Sequence, residues 1–162
     1  MINLIELHYE YSDFNSDFIG EIIRYIDNCI TDIYWVVSDL DIIVNDREDY
    51  INNKTLFSEK VLMFQEKVDR EFGVYVSTEK FLDILFNSRT VYRGAIACFK
   101  NNIPKLRQYI PFTEGNIDKI KSSHALLEIR VIDGDLIFLI GNDGVNLDFV
   151  KEKFNKYLSR VY

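Results

Sequence analysis

Apolar and polar residues alternate with two different periods along this chain, and each change of period marks the boundary of a predicted element. Apolar residues at every second position predict a strand over residues 2–9. Apolar runs predict further strands over 32–44 and 90–99, with a short strand at Val74–Val76. β-Branched and aromatic residues are densest over 32–44, so this segment is the clearest strand.

Helices are predicted where apolar residues recur three and four positions apart. The first follows capping residues at 13–16 and extends to about Asn28. The second starts at Ser58, the third is capped at 77–78, and the last is capped by Asn146. Ser, Thr, Asn and Asp are favoured at such positions because their side chains can accept a hydrogen bond from a free helix N–H.

A tight turn at 133–134 separates the predicted strands 124–132 and 135–140, which we expect to pair as an antiparallel hairpin. Strands occur in runs as well as in alternation with helices. The order of elements therefore predicts an α+β fold, a mostly antiparallel or mixed sheet of about five strands with helices packed on one face. We expect residues 1–162 to form a single globular domain, in which 100–122 is an irregular insertion or lid.

The alternation over 32–44 assigns its side chains to two sides of the strand. One set is predicted to face the core: Val36, Leu40, Ile42 and Val44. The other set is predicted to face outward or toward a partner: Trp35, Val37, Asp39, Asp41 and Ile43. Because aromatic residues dominate binding hot spots, a Trp beside two acids is typical of a protein-binding patch.

Acidic residues are concentrated in the first part of the chain. Residues 1–60 hold 13 Asp and Glu against four Lys and Arg, and the whole chain has a net charge of −7. Directly after the strand, the loop 45–50 adds further candidate contact residues: Asp46, Glu48, Asp49 and Tyr50. A negative field attracts cationic partners and repels phosphates, so we expect a basic protein partner and no binding to nucleic acid.

The segment 38–44, Ser-Asp-Leu-Asp-Ile-Ile-Val, resembles the Ser-Asp-x-Asp strand of nucleotidyltransferases of the polymerase-beta type. The resemblance implies that Asp39 and Asp41 hold a magnesium ion that bridges a nucleotide triphosphate. It covers about seven residues. The Gly-Ser pair that the family places upstream is missing from residues 28–34, and Val74–Val76 offers no third carboxylate.

Histidines and cysteines provide no local pair of metal ligands. His8 and His124 are far apart, and Cys29 and Cys98 are both expected to be buried free thiols. We therefore expect no cofactor. The chain also lacks a signal peptide and an apolar run long enough to cross a membrane, so the predicted location is the cytoplasm.

These features favour a non-enzymatic protein-binding module, of the class of immunity or inhibitor proteins from bacterial or phage conflict systems. Size, charge and the lack of a complete catalytic motif suggest this class, and no motif identifies it. The first alternative is a magnesium-dependent enzyme that uses Asp39 and Asp41. The second is a self-assembling subunit, such as a homodimer in which an acidic region meets a basic one.

Overall fold

A seven-stranded sheet carrying four α-helices forms the described part of the chain. The structure is a computed structural model, and it describes residues 4–44, 56–71, 73–101 and 124–161. The α+β fold predicted from the sequence is confirmed, and every strand pairs antiparallel to its neighbours. The sheet has two more strands than the approximate five that we predicted.

The strands are β1 (Leu4–His8), β2 (Ile33–Val44), β3 (Val74–Val76), β4 (Ser88–Lys100), β5 (Leu127–Ile132), β6 (Leu136–Gly141) and β7 (Leu158–Val161). The helices are α1 (Ser16–Cys29), α2 (Leu56–Glu71), α3 (Thr78–Phe86) and α4 (Asp148–Lys153). The order of strands across the sheet is β3-β2-β4-β5-β6-β1-β7.

All four helices bury side chains against the same face of the sheet, which we call the helix face. Helix α1 buries Phe18, Ile19, Ile22 and Ile26, as its spacing predicts, and also Ile23. Of the other two predicted members, Tyr25 is only partly buried and Cys29 is exposed. Leu127 and Ile129 of β5 belong to the same core. Because each helix is apolar along one stripe, packing against a common face buries every stripe in one continuous core.

The predicted outward orientation of Trp35 is wrong. Trp35 and Val37 are fully buried in the same core as Leu40 and Ile42. The register between β2 and β4 shifts between Val37 and Asp39, so the strand contains a β-bulge. Ser38 is the extra residue, because Val37 and Asp39 pair with the consecutive residues Ile96 and Ala95. An extra residue reverses the alternation, so Trp35 before the bulge lies on the same face as Leu40 after it.

The opposite side of the sheet, the second face, has an apolar cluster of its own. Its buried members are Tyr34, Val36, Ala97, Phe99, Ala125 and Ile140. Val36 is therefore buried, as predicted, but on the opposite side of the sheet from Leu40. The same bulge is responsible, since our assignment continued one alternation through the whole strand.

Two local predictions near the ends of helices also need correction. Cys29 is exposed at the end of α1, whereas Cys98 is buried as expected, and both thiols are free. The sequence pattern places Lys156 and Arg160 in the last helix, but that helix ends at Lys153 and residues 158–161 form β7 on the outer side of β1. The acidic loop 45–50 and most of the predicted insertion 100–122 lie outside the described residues.

Candidate functional site

Charged side chains occupy the part of the second face nearest the turn between β5 and β6. The strand register aligns Asp39, Ala95, Arg130, Phe138 and Glu6 in one row across five strands. In the next row toward the turn, Asp41 pairs with Arg93. We call this region the charged half of the second face, in contrast to its apolar cluster.

Asp39 and Asp41 lie on the same face, as their spacing predicts. β-Bulges flank the pair, one between Val37 and Asp39 and the other between Asp41 and Ile42. Both carboxylates are half-buried. The two bulges turn this short stretch into a separate unit of the strand, with its acids directed away from the helices.

Arg93 is the counter-ion of this acidic pair. Its Nε donates a hydrogen bond of 2.9 Å to Oδ2 of Asp39. This bond and the charge of Asp39 raise the pKa of Arg93, and Asp41 contributes further. The Arg93 side chain is 61% exposed and that of Asp39 is 33% exposed. Solvent screens so open a pair, so it orients the two groups more than it stabilises the fold.

Helix α2 covers the edge of β2 beside the acids. β3 pairs with β2 only at Trp35, Val36 and Val37, so the remainder of that edge needs another partner. Oε1 of Gln65 accepts a hydrogen bond of 2.8 Å from the backbone N–H of Ile42. A side chain from α2 thereby satisfies a backbone donor where the ladder has ended.

Trp35 cannot belong to this surface. Its indole Nε1 donates a hydrogen bond of 2.9 Å to Oγ1 of Thr78, and that hydroxyl donates one of 2.8 Å to Asp27. The chain of bonds ties β2 to α3 and α1 inside the helix-face core. A fully buried side chain of this kind holds the fold together and makes no contact with a partner.

Tyr92 is an exposed aromatic residue that directly precedes Arg93 on β4. It is the unpaired residue at the second bulge, because Asp41 pairs with Arg93 and Ile42 pairs with Val91. Its side chain is exposed. Tyr92 is not among the partner-binding residues that we predicted, although Tyr and Arg residues are interleaved over 89–93.

The residues that would hold a metal ion are only partly assembled. Asp39 and Asp41 are adjacent oxygen donors, which suits magnesium. Within the described ranges, however, no group of three or more His, Cys, Asp and Glu side chains is close enough to hold an ion. The guanidinium of Arg93 bonds to Asp39 and competes electrostatically with any cation there.

Other candidate residues are dispersed over the molecule. Burial raises the pKa of the Cys98 thiol on the helix face. His8 lies on the other face, where Nε2 is 3.4 Å from Asp135. These two residues therefore form no nucleophile–base pair. Asp46, Glu48, Asp49 and Tyr50 lie outside the described residues, and their role remains a prediction.

Comparison with protein-family models, with curated proteins and with solved structures gave no match. None of the helices in the described ranges has the length and apolar character needed to span a bilayer. The functional argument for this chain therefore depends on its own residues.

Proposed function

We propose that this chain is a non-enzymatic protein-binding module whose charged half of the second face contacts a basic protein partner. The observation that carries the proposal is the placement of Asp39 and Asp41 together on the face that no described helix covers. The acidic loop 45–50 directly follows this strand and would extend the same surface.

Electrostatics supports this choice of partner. Arg93 compensates one of the two adjacent carboxylates, while the first 60 residues carry nine more acidic than basic side chains. Exposed charges of one sign steer an oppositely charged protein toward its binding site and raise the association rate more than the lifetime of the complex. Arg93 would add orientation, because its planar guanidinium fixes one carboxylate in place.

Within this class, we propose an immunity or inhibitor protein that acts in the cytoplasm on a basic effector. Small size, acidic charge and a sheet face that no described helix covers suit such a role. A self-assembling subunit, in which the acidic region of one copy meets a basic region of another, is the alternative that a concentration-dependent oligomeric state would favour.

The test is capture of a partner from a lysate of the native host, followed by binding kinetics at several salt concentrations. The double variant Asp39→Asn/Asp41→Asn should slow association by about three- to tenfold at low salt and much less at high salt. Reversal of Asp46, Glu48 and Asp49 to Lys should also slow association, since charge near the contact acts through the rate of encounter.

The matched control is Glu79→Gln/Glu152→Gln, which removes two exposed carboxylates from helices on the other face. It should leave the association rate nearly unchanged. Equal kinetics for all variants would exclude this surface as the contact. A melting temperature that rises saturably with magnesium, and does so only while Asp39 and Asp41 are present, would favour the nucleotidyltransferase-like enzyme instead.

A further inference from the structure

Exposed apolar side chains are concentrated at one end of the sheet. Six large apolar side chains of the described residues are exposed, and four of these lie around the turn between β5 and β6. They are Tyr11, Phe14, Tyr92 and Ile132. We call these four residues the hairpin-end patch. Scattered single apolar residues need no explanation, but a group of this size often marks a binding surface.

Hydrogen bonds hold the backbone beneath this patch in place. The Nδ2 group of Asn15 donates to the carbonyl oxygens of Val91 and Gly134, at 2.8 and 2.6 Å. The N–H of Gly134 donates to the carbonyl of Tyr92 at 2.9 Å. The hydroxyl of Thr90 donates to the carbonyl of Asp13. The segment before α1, the bulge of β4 and the hairpin turn are thus joined.

The turn itself allows this close approach. Gly134 has a φ of +79°, and a Cβ atom added there would lie 3.2 Å from the carbonyl oxygen of Ser12. Glycine is therefore favoured both by its backbone conformation and by its neighbour. A preorganised surface loses less conformational entropy on binding than a flexible one, which favours recognition through the four exposed side chains.

The charges around the hairpin-end patch are mainly negative. The acidic side chains near it are Glu10, Asp13, Asp17, Asp133 and Asp135. The nearby basic groups are Arg89, Arg93 and Arg130, together with His8, which faces Asp135. Arg130 is paired with Glu128. The pKa of Tyr9 is raised, mainly by burial and then by neighbouring Tyr side chains. The negative charges of Asp17 and Glu10 raise it further.

The rings of the patch are also suited to cations. The guanidinium of Arg89 lies 5.8 Å from the ring centroid of Phe14. An aromatic face attracts a cation through its quadrupole, and a surrounding group of carboxylates adds to that attraction. Lys or Arg side chains of a partner would find both features here.

We propose that the hairpin-end patch anchors the basic partner by binding an extended segment in which apolar side chains alternate with Lys or Arg. This inference rests on the proposed function and assigns the affinity to Tyr92 and Ile132, the role that Trp35 cannot fill. A second copy of the chain is a poor occupant, because a two-fold contact would bring the acidic groups of both copies together.

The probe is a short peptide in which Lys alternates with Phe and Leu, compared with the same peptide carrying Glu in place of Lys. Backbone amide shifts of the ¹⁵N-labelled protein are recorded during titration with each peptide. The Lys peptide should shift resonances at residues 11–14, 91–93 and 132–134, and the Glu peptide should not. The double variant Tyr92→Ser/Ile132→Thr should lower the affinity for the Lys peptide by about tenfold, because it removes side chains that anchor the peptide.

Met63→Ser is the control, since Met63 is also an exposed apolar residue and lies on α2, outside the patch. It should leave the peptide affinity unchanged. The proposal is overturned if both peptides bind alike, if no shifts occur at the patch, or if the double variant binds as tightly as the wild type. Shifts that depend on protein concentration without peptide would also overturn it, in favour of a homodimer.

The two proposals fail separately. Amide shifts confined to Asp39, Asp41 and Arg93 would exclude the hairpin-end patch as the binding site and would support the charged half as the contact. The opposite result is that the peptide binds at the patch while Asp39→Asn/Asp41→Asn leaves the association rate of the captured partner unchanged. That result would support the patch as a binding site and would exclude the charged half.

Discussion

Asn15 shows how much one buried polar side chain does in this fold. Its Oδ1 accepts a hydrogen bond of 2.7 Å from the N–H of Val91, in addition to the two bonds that its Nδ2 donates. The sequence places Asn15 among capping residues of the first helix. In the structure it precedes α1, but its side chain makes no cap and pairs with β4 and the hairpin turn instead.

We expect Asn15→Ala to lower the free energy of unfolding by about 2–4 kcal/mol. Each buried backbone group left without a partner costs about 1–3 kcal/mol, and the variant orphans groups on Val91 and Gly134. Urea denaturation measures the change. Asn28→Ala, at an exposed position on α1, is the control and should have little effect. An equal midpoint for both variants would show that water replaces the Asn15 side chain.

At the scale of elements, the bulge in β2 determines what each side of the strand presents. The sequence pattern predicts the strand and its bounds within one residue. It does not predict the bulge, because bulges arise from how two paired strands fit together, and β4 lies far along the chain. Asp39 and Asp41 both follow the bulge, so the prediction that they share a face is correct. Trp35 precedes the bulge, so its predicted face is wrong.

Fluorescence of Trp35 tests this arrangement, since the chain contains a single tryptophan. A fully buried indole should emit at shorter wavelength than in the urea-unfolded chain, and iodide should quench it weakly. The indole bond to Thr78 is tested by Thr78→Val, which should reduce stability by about 1–3 kcal/mol through loss of a partner for a buried donor. Strong quenching of the native protein would place Trp35 at the surface.

Prediction of elements succeeded where the local pattern decides the outcome. The amphipathic stripe of α1 and the Ser77 cap of α3, which accepts a bond from Lys80, were both expected. Strand β7 was missed, because residues 158–161 become a strand only by pairing with β1, more than 150 positions earlier. Pairing over such distances leaves no periodic signal in the sequence.

At the scale of the whole molecule, the two faces of the sheet carry different tasks. The helix face holds the main core, and the second face combines an apolar cluster with a charged half. Period-two spacing predicted that Asp39 and Asp41 share a side. It could not predict Arg93 as their counter-ion, since that contact depends on the register of β4.

Alkaline pH should destabilise the fold, and Cys98 should account for the first part of the loss. Burial raises the pKa of this thiol in the folded state. Its contribution to stability is therefore complete below the unfolded pKa of about 8.5 and is lost as pH rises above it. Tyr34 and Tyr75, whose pKa values are raised by burial, should add a further loss above about pH 10.

Urea midpoints at several pH values between neutrality and about pH 10 measure this dependence. Cys98→Ala should be less stable at neutral pH but should lose less stability between about pH 8.5 and 10. Asn28→Ala, which removes no titratable group and lies at an exposed position, should keep the wild-type slope. If the urea midpoint of Cys98→Ala falls with pH as steeply as that of the wild type, ionisation of the Cys98 thiol is excluded as the cause of the loss.

The position of β1 has a consequence for the order in which the protein can be made. β1 lies between β6 and β7, so Ile5 pairs with Leu139 on one side and with Val161 on the other. A ribosome synthesises β1 first, yet both neighbours of this strand emerge last. During translation the earliest strand therefore has no native partner, and the sheet can close only after the final strands have left the exit tunnel.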